Sequence, residues 1–242
     1  MGNRSVVGKI SIVAGMAALM AGMAWANAGS ESAVSPEAAL QHLMEGNKRY
    51  VEGQMTAGKL CDAAARTALV KSQKPYAIIL SCSDSRLPPE VIFDKGLGEI
   101  FVIRVAGNIP DPIVLGSIEY AAEHLGSPLI MVLGHERCGA VKATVEAKGK
   151  TSGSANIDAI LNTITPSVKA AAKDCQACKG EAKCADSKKD EFLECVSDTN
   201  AKRVAASLPA KSKIIKHLLA EKKLAIVVAK YDLDDGVVTL SK

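Results

Sequence analysis

Aromatic residues are scarce, with three Phe, four Tyr and one Trp in 242 residues. No basic patch is interleaved with them, which argues against a nucleic-acid partner. Neither sign of charge is in excess. Setting aside Arg4 and Lys9 leaves 28 of the 30 basic residues against 26 acidic ones, a net of +2. Such a balance points away from polyanionic partners in general. Internal repeats are lacking, which removes the solenoid and propeller classes. Past residue 28 no apolar run approaches the roughly 20 residues that span a bilayer.

The longest apolar run is N-terminal. Arg4 and Lys9 precede residues 10–23, and Trp25-Ala26-Asn27-Ala28 follows with small residues at 26 and 28. This is the layout of a secretory signal peptide cut after Ala28. At 14 residues the run is too short for a typical membrane span. The expected product is a single domain over residues 29–242, periplasmic or secreted, with no membrane span once the signal peptide is removed. Seven cysteines would then meet an oxidising compartment, where thiols tend to pair. Because seven is odd, at least one lies outside any intrachain disulfide.

Along the rest of the chain, strand and helix patterns alternate. Ser35-Pro36-Glu37 offers a capping hydroxyl followed by proline at the first helical position, opening an N-terminal helical arm that runs to about residue 52. A second helix is expected over 62–73. Continuous apolar runs at 76–80, 100–105, 129–133 and 224–229 read as strands covered on both faces, with helices expected at 116–124, 140–147, 157–172 and 211–219. Asp234-Asp235-Gly236 marks a turn into a short closing strand at 237–240. The fold class is therefore α/β, a mostly parallel β-sheet flanked by helices. Residues 174–198 are rich in Lys, Asp, Glu and Cys, and read as a solvated, cysteine-rich insertion that packs no core of its own.

Ligands in open parallel sheets gather at the carboxyl ends of the strands. Two of the expected strands end in metal-capable residues, one in Cys82-Ser83-Asp84-Ser85-Arg86 and the other in Gly134-His135-Glu136-Arg137-Cys138-Gly139. Alone, either motif is a weak sign. On neighbouring strands they would bring two thiolates, an imidazole and a carboxylate to one edge, a donor set suited to zinc. Two arrangements are open. Cys82, Asp84, His135 and Cys138 could close a purely structural zinc. Alternatively, Arg86 could hold Asp84 off the metal and leave a position for water, whose pKa zinc lowers to about 7.

At these residues the chain resembles the β-class carbonic anhydrases. "CSDSRLPPE" (82–90), "GLGEIFVIRVAGN" (96–108), "GSIEYAAEHLG" (116–126), "LGHERCGAV" (133–141) and "AKYDLDDG" (229–236) match family segments in order, as does "AALQHLMEGNKRYVEG" (38–53). The likeness covers about residues 35–148 and 200–240. It implies one Zn2+ per chain on Cys82, His135 and Cys138, with Asp84 either a fourth ligand or paired with Arg86. It also implies reversible hydration of CO2 to bicarbonate by hydroxide on the metal, with Asp84 orienting that hydroxide. Gln73, Phe101, Tyr120 and the Gly139 amide fall at positions that contact substrate in the family. That cleft lies at a dimer interface, so a homodimer or a dimer of dimers is implied. For Phe101 and Tyr120 the plain alternative is core packing. Some members carry tryptophan three residues before the first zinc cysteine, linked to an inhibitory bicarbonate pocket. Ile79 stands there instead, so Asp84 is expected to pair with Arg86 at neutral and alkaline pH, without that kind of regulation.

The family offers no role for Cys175, Cys178, Cys184 and Cys195. Disulfides stapling a loop are the first reading, with a second structural zinc and a redox pair at Cys175–Cys178 behind it. Haem attachment of the C-x-x-C-H kind is excluded by Lys179. Cys61 is left as a buried thiol or an intermolecular bridge. None of His42, His124 and His217 is singled out as a proton shuttle. Two rival functions stay open at this point, a zinc hydrolase of the same fold acting on COS or CS2, and a non-catalytic zinc or redox module.

Overall fold

Strand β1 (Ala77–Ser81) divides its side chains between two cores. Ala77 and Ile79 join one, while Ile78 and Leu80 join the other, and all four are fully buried. Strand β3 (Leu129–His135) does the same, with Leu129, Met131 and Leu133 on one face and Ile130 and Val132 on the opposite face. Successive strand residues point to opposite faces, so a sheet covered on both sides demands apolar residues without interruption. A computed structural model describes residues 34–175 and 188–241. The signal peptide read over residues 1–28, Cys178 and Cys184 lie outside them.

Five strands among the described residues form one sheet in the order β2-β1-β3-β4-β5. Here β2 is Ile100–Arg104, β4 Ala225–Tyr231 and β5 Val238–Leu240. All pairings are parallel except β4 with β5. On one face lie α1 (Pro36–Val51), α3 (Pro89–Ile92), α5 (Gly139–Ala147) and α6 (Ala155–Asp174), which contribute Leu43, Ile92, Val141 and Ile164 to the core. The other face carries α4 (Pro112–Glu123) and α8 (Lys213–Ala220), through Ile118 and Ile215. Helix α1 starts as its capping serine dictates, with Ser35 Oγ accepting from the Ala38 N–H at 3.2 Å. It approaches α3 so closely that a methyl group on Gly46 would collide with the Phe93 carbonyl.

Several expectations need correction. Residues 189–198 of the stretch read as a solvated insertion belong to helix α7 (Lys189–Lys211), in which Phe192, Leu193, Val196 and Ala201 are buried, while 176–187 lie outside the described residues. The charged residues around these apolar ones masked a core helix. Its first half serves one core, and Val204, Ala205 and Leu208 serve the other. Helix α2 (Ala63–Ala68) is half as long as expected, because none of its residues is buried and short helices need packing to persist. The helix placed at 116–124 begins earlier, at Pro112, where Asp111 Oδ1 accepts from the Val114 N–H at 2.7 Å. Cys61 is exposed, against the buried alternative. No helix among the described residues is long and apolar enough to cross a membrane.

Asp94, 1 % exposed, ties the arm to the connection between α3 and β2. Its carboxylate takes Arg49 Nε at 2.6 Å, the N–H groups of Thr56 and Ala57 at 2.8 and 2.7 Å, and the Thr56 hydroxyl at 3.0 Å. Burial alone would raise its pKa, but these donors overcome that and hold it at about 2. A carboxylate with a depressed folded-state pKa stabilises above its ordinary value, and that contribution fades as pH falls through the folded value. Asp94→Asn is therefore expected to lower unfolding stability by about 2 kcal/mol at pH 7. Urea titrations should show the gap from the parent closing between about pH 4 and pH 2.

Candidate metal centre

The end of β1 and the end of β3 are adjacent because the two strands pair directly, with Ser81 opposite Leu133. Past Ser81, Arg104 at the end of β2 reaches across and donates to the Cys82 carbonyl at 3.1 Å and the Asp84 carbonyl at 2.5 Å. The Leu87 N–H donates to that same Asp84 carbonyl at 2.9 Å, closing the loop. The β3 side is turned by Arg137, whose left-handed backbone (φ 50°) brings the chain round so that Cys138 becomes the N-cap of α5. Arg137 is anchored by donating its N–H to Glu194 Oε1 at 2.9 Å and its guanidinium to Glu136 and Asp234, at 3.1 and 2.6 Å.

These turns gather Cys82, His135 and Cys138, one donor atom from each, within 4.8 Å of one another. All three are at least 95 % buried. Both ring nitrogens of His135 are buried without a hydrogen-bond partner, a costly state for an imidazole that nothing else occupies. The Cys82 thiol is drawn below its ordinary pKa by the Cys138 side chain, by the adjacent His135 imidazole and by the Gly107 N–H, 3.4 Å from the sulfur. Two thiols, one biased toward thiolate, beside an orphaned imidazole fit zinc.

Asp84 is not in this group. Its Oδ1 accepts from the Arg86 backbone N–H at 3.0 Å and from Nε at 2.9 Å, while Oδ2 accepts from Nη2 at 2.8 Å. The Arg86 side chain is the main reason its pKa sits at about 2. Asp84 is thus paired with Arg86, the contact that the second of the two arrangements requires.

A carbonic anhydrase family model matches residues 77–238. "Carbonic anhydrase 2" of Mycobacterium tuberculosis is 39% identical over 203 residues, covering 84% of this chain and 91% of the relative. "Carbonic anhydrase" of Mycolicibacterium smegmatis is 40% identical over 209 residues, covering 85% and 93%. The chain belongs to the β-class carbonic anhydrases. Its fold is shared with the β-carbonic anhydrase CcaA, at a TM-score of 0.65 and 22% identity over 84% of this chain and 95% of that one. The Coccomyxa β-carbonic anhydrase, solved in complex with acetazolamide, gives a TM-score of 0.64 at 25% identity over 83% and 85%. The matches favour neither a COS or CS2 hydrolase nor a non-catalytic zinc or redox module.

Other residues expected at a carbonic anhydrase site fall in two places. Gly139 opens α5 directly beside Cys138, with space around its Cα. Gln73 and Tyr120 instead line an open cavity of about 820 Å3, together with Leu69, Val70 and Leu97, and none of the three metal-capable residues reaches it. Tyr120 is 48% exposed, which corrects the core alternative for it, whereas Phe101 is partly buried against a core. Arg104 and Asn200 escaped the sequence reading. Arg104 had a visible sign, a charge ending an apolar strand. Asn200 had none. Buried in α7, it donates to the Gly107 carbonyl at 2.9 Å and accepts from Ser167 Oγ at 3.0 Å, fixing the glycine whose N–H faces Cys82.

Proposed function

We propose that this chain catalyses the reversible hydration of CO2 to bicarbonate, with one zinc per chain held by Cys82, His135 and Cys138. The observation that carries the reading is the buried, unpartnered imidazole of His135 beside two thiols, in a chain of this family. Zinc in such a donor set supplies hydroxide at neutral pH, because it lowers the pKa of water from 15.7 to about 7.

The chain's own residues orient the reaction. Asp84 is ionised far below neutral pH, so it accepts hydrogen bonds and cannot serve as the acid. With Arg86 occupying both acceptor sites of Oδ1 and one of Oδ2, the remaining lone pair of Oδ2 can take the hydrogen of the attacking oxygen and turn its free lone pair toward the CO2 carbon. The Gly139 amide, first in α5 and next to Cys138, would meet charge developing on a CO2 oxygen.

Gln73, Phe101 and Tyr120 complete the substrate cleft of a second copy in a homodimer or a dimer of dimers. Supporting this, Gln73 and Tyr120 are open to solvent and away from their own chain's Cys82. Export by the N-terminal segment would place the enzyme in the periplasm or outside the cell, with disulfides among the spare cysteines. Stopped-flow CO2 hydration tests the activity, and mixed subunits test the shared cleft. Gln73→Leu alone should lose about 100-fold. Co-refolded in equal amounts with Cys82→Ser, it should recover about a quarter of parental activity, since half the dimers carry one intact site. No recovery would confine each cleft to one chain.

A further inference from the structure

Two thiols lie outside the metal centre and have no part in it. Cys175 caps the C-terminus of α6, with its N–H donating to the Ala171 carbonyl at 2.8 Å, and it is 6% exposed. Cys195 sits in the second turn of α7, half-buried against the same core. Their side chains hydrogen-bond to each other. Burial pushes the Cys195 thiol up to about 12, helped by the Cys175 sulfur and by the carboxylates of Asp198 and Asp174. A thiol so placed is a poor metal ligand. Among the described residues, no third Cys, His or carboxylate joins the two to form a metal-binding group.

We propose that Cys175 and Cys195 are joined by a disulfide in the working enzyme, fastening the end of α6 to α7. This rests on the reading that the chain is exported, since that compartment supplies the oxidant, a disulfide carried by an exchange protein or by glutathione. One protein thiolate attacks that disulfide and releases one thiol. The second protein sulfur then displaces the other. Two protein thiols lose two electrons and two protons, and the oxidant leaves as two thiols.

The bond bears on the metal centre through α7. Glu194, next to Cys195, accepts from the Arg137 N–H and pairs with Lys230 at 2.8 Å, and Asn200 on the same helix holds Gly107. Fastening α7 therefore fixes two supports of the Cys82–His135–Cys138 loops.

The test is peptide mapping of the full chain, with thiols blocked and no reductant. Trypsin should release residues 174–179 joined to residues 190–202, with fragmentation placing the bond at Cys175 rather than Cys178. Reduction should lower the melting temperature by about 5–10 °C in the parent and leave the Cys175→Ser/Cys195→Ser double variant unmoved. A free Cys195 after treatment of the purified chain with oxidised glutathione would overturn the pairing. So would a bond from Cys195 to Cys178 or Cys184, or a second zinc per chain. A chain that links under oxidised glutathione but is found reduced in the cytosolic fraction of its own cells would overturn export and leave the pairing standing.

Discussion

Cys82→Ser leaves the enzyme without zinc and without measurable CO2 hydration. Serine keeps roughly the shape of cysteine but offers an alcohol that does not ionise at neutral pH, so the donor set falls from two thiolates and an imidazole to one of each. The fold should survive, because β1 is held by neighbours on both sides and the Cys82 carbonyl keeps its bond from Arg104. Metal analysis is expected to fall from one zinc per chain to near none, and kcat/KM by more than about a thousandfold. Unchanged far-ultraviolet circular dichroism would show that the loss is local. A zinc-loaded, active Cys82→Ser protein would remove this residue from the centre and with it the assignment of the site.

Arg86→Ala separates holding the metal from using it. The hydrogen bonds of the Arg86 side chain go to Asp84 and not to Cys82, His135 or Cys138, so zinc content should stay at one per chain. Asp84, however, loses two of the three donors that fix its carboxylate. Groups that orient the residues around a metal site are typically worth 10- to 100-fold, and we expect the upper end because both carboxylate oxygens lose their side-chain partner. The decisive pattern is low kcat/KM with full zinc. Arg86→Lys should recover little, since a point charge cannot reproduce the paired Nε and Nη2 contacts. Parental activity in Arg86→Ala would take the pair out of the mechanism.

The centre was legible in the sequence because its donors stand immediately after apolar runs that can only be buried strands. Strand ends are where parallel sheets present side chains, so the topology was not needed in detail. Helix α7 was not legible, for a physical reason. It packs between layers, so its buried positions include Ser197 and Asn200 as well as Phe192 and Val196, and no single apolar stripe emerges. Ser197 meets its requirement locally by donating to the Leu193 carbonyl at 3.0 Å, which no pattern of hydrophobicity records. Conversely, the alanines of α2 promised a longer helix than the packing sustains. Gln73 and Tyr120 mark a further boundary: their expected place depends on a second copy of the chain, which spacing within one copy does not encode.

Because Cys82 follows β1 and His135 closes β3, with some fifty residues between them, a nascent or half-folded chain offers the ion no more than one isolated cysteine or the local His135–Cys138 pair. Tight capture begins only when the two strands dock, so occupancy by zinc becomes a gauge of conformational integrity, and chelators should select against molecules caught midway.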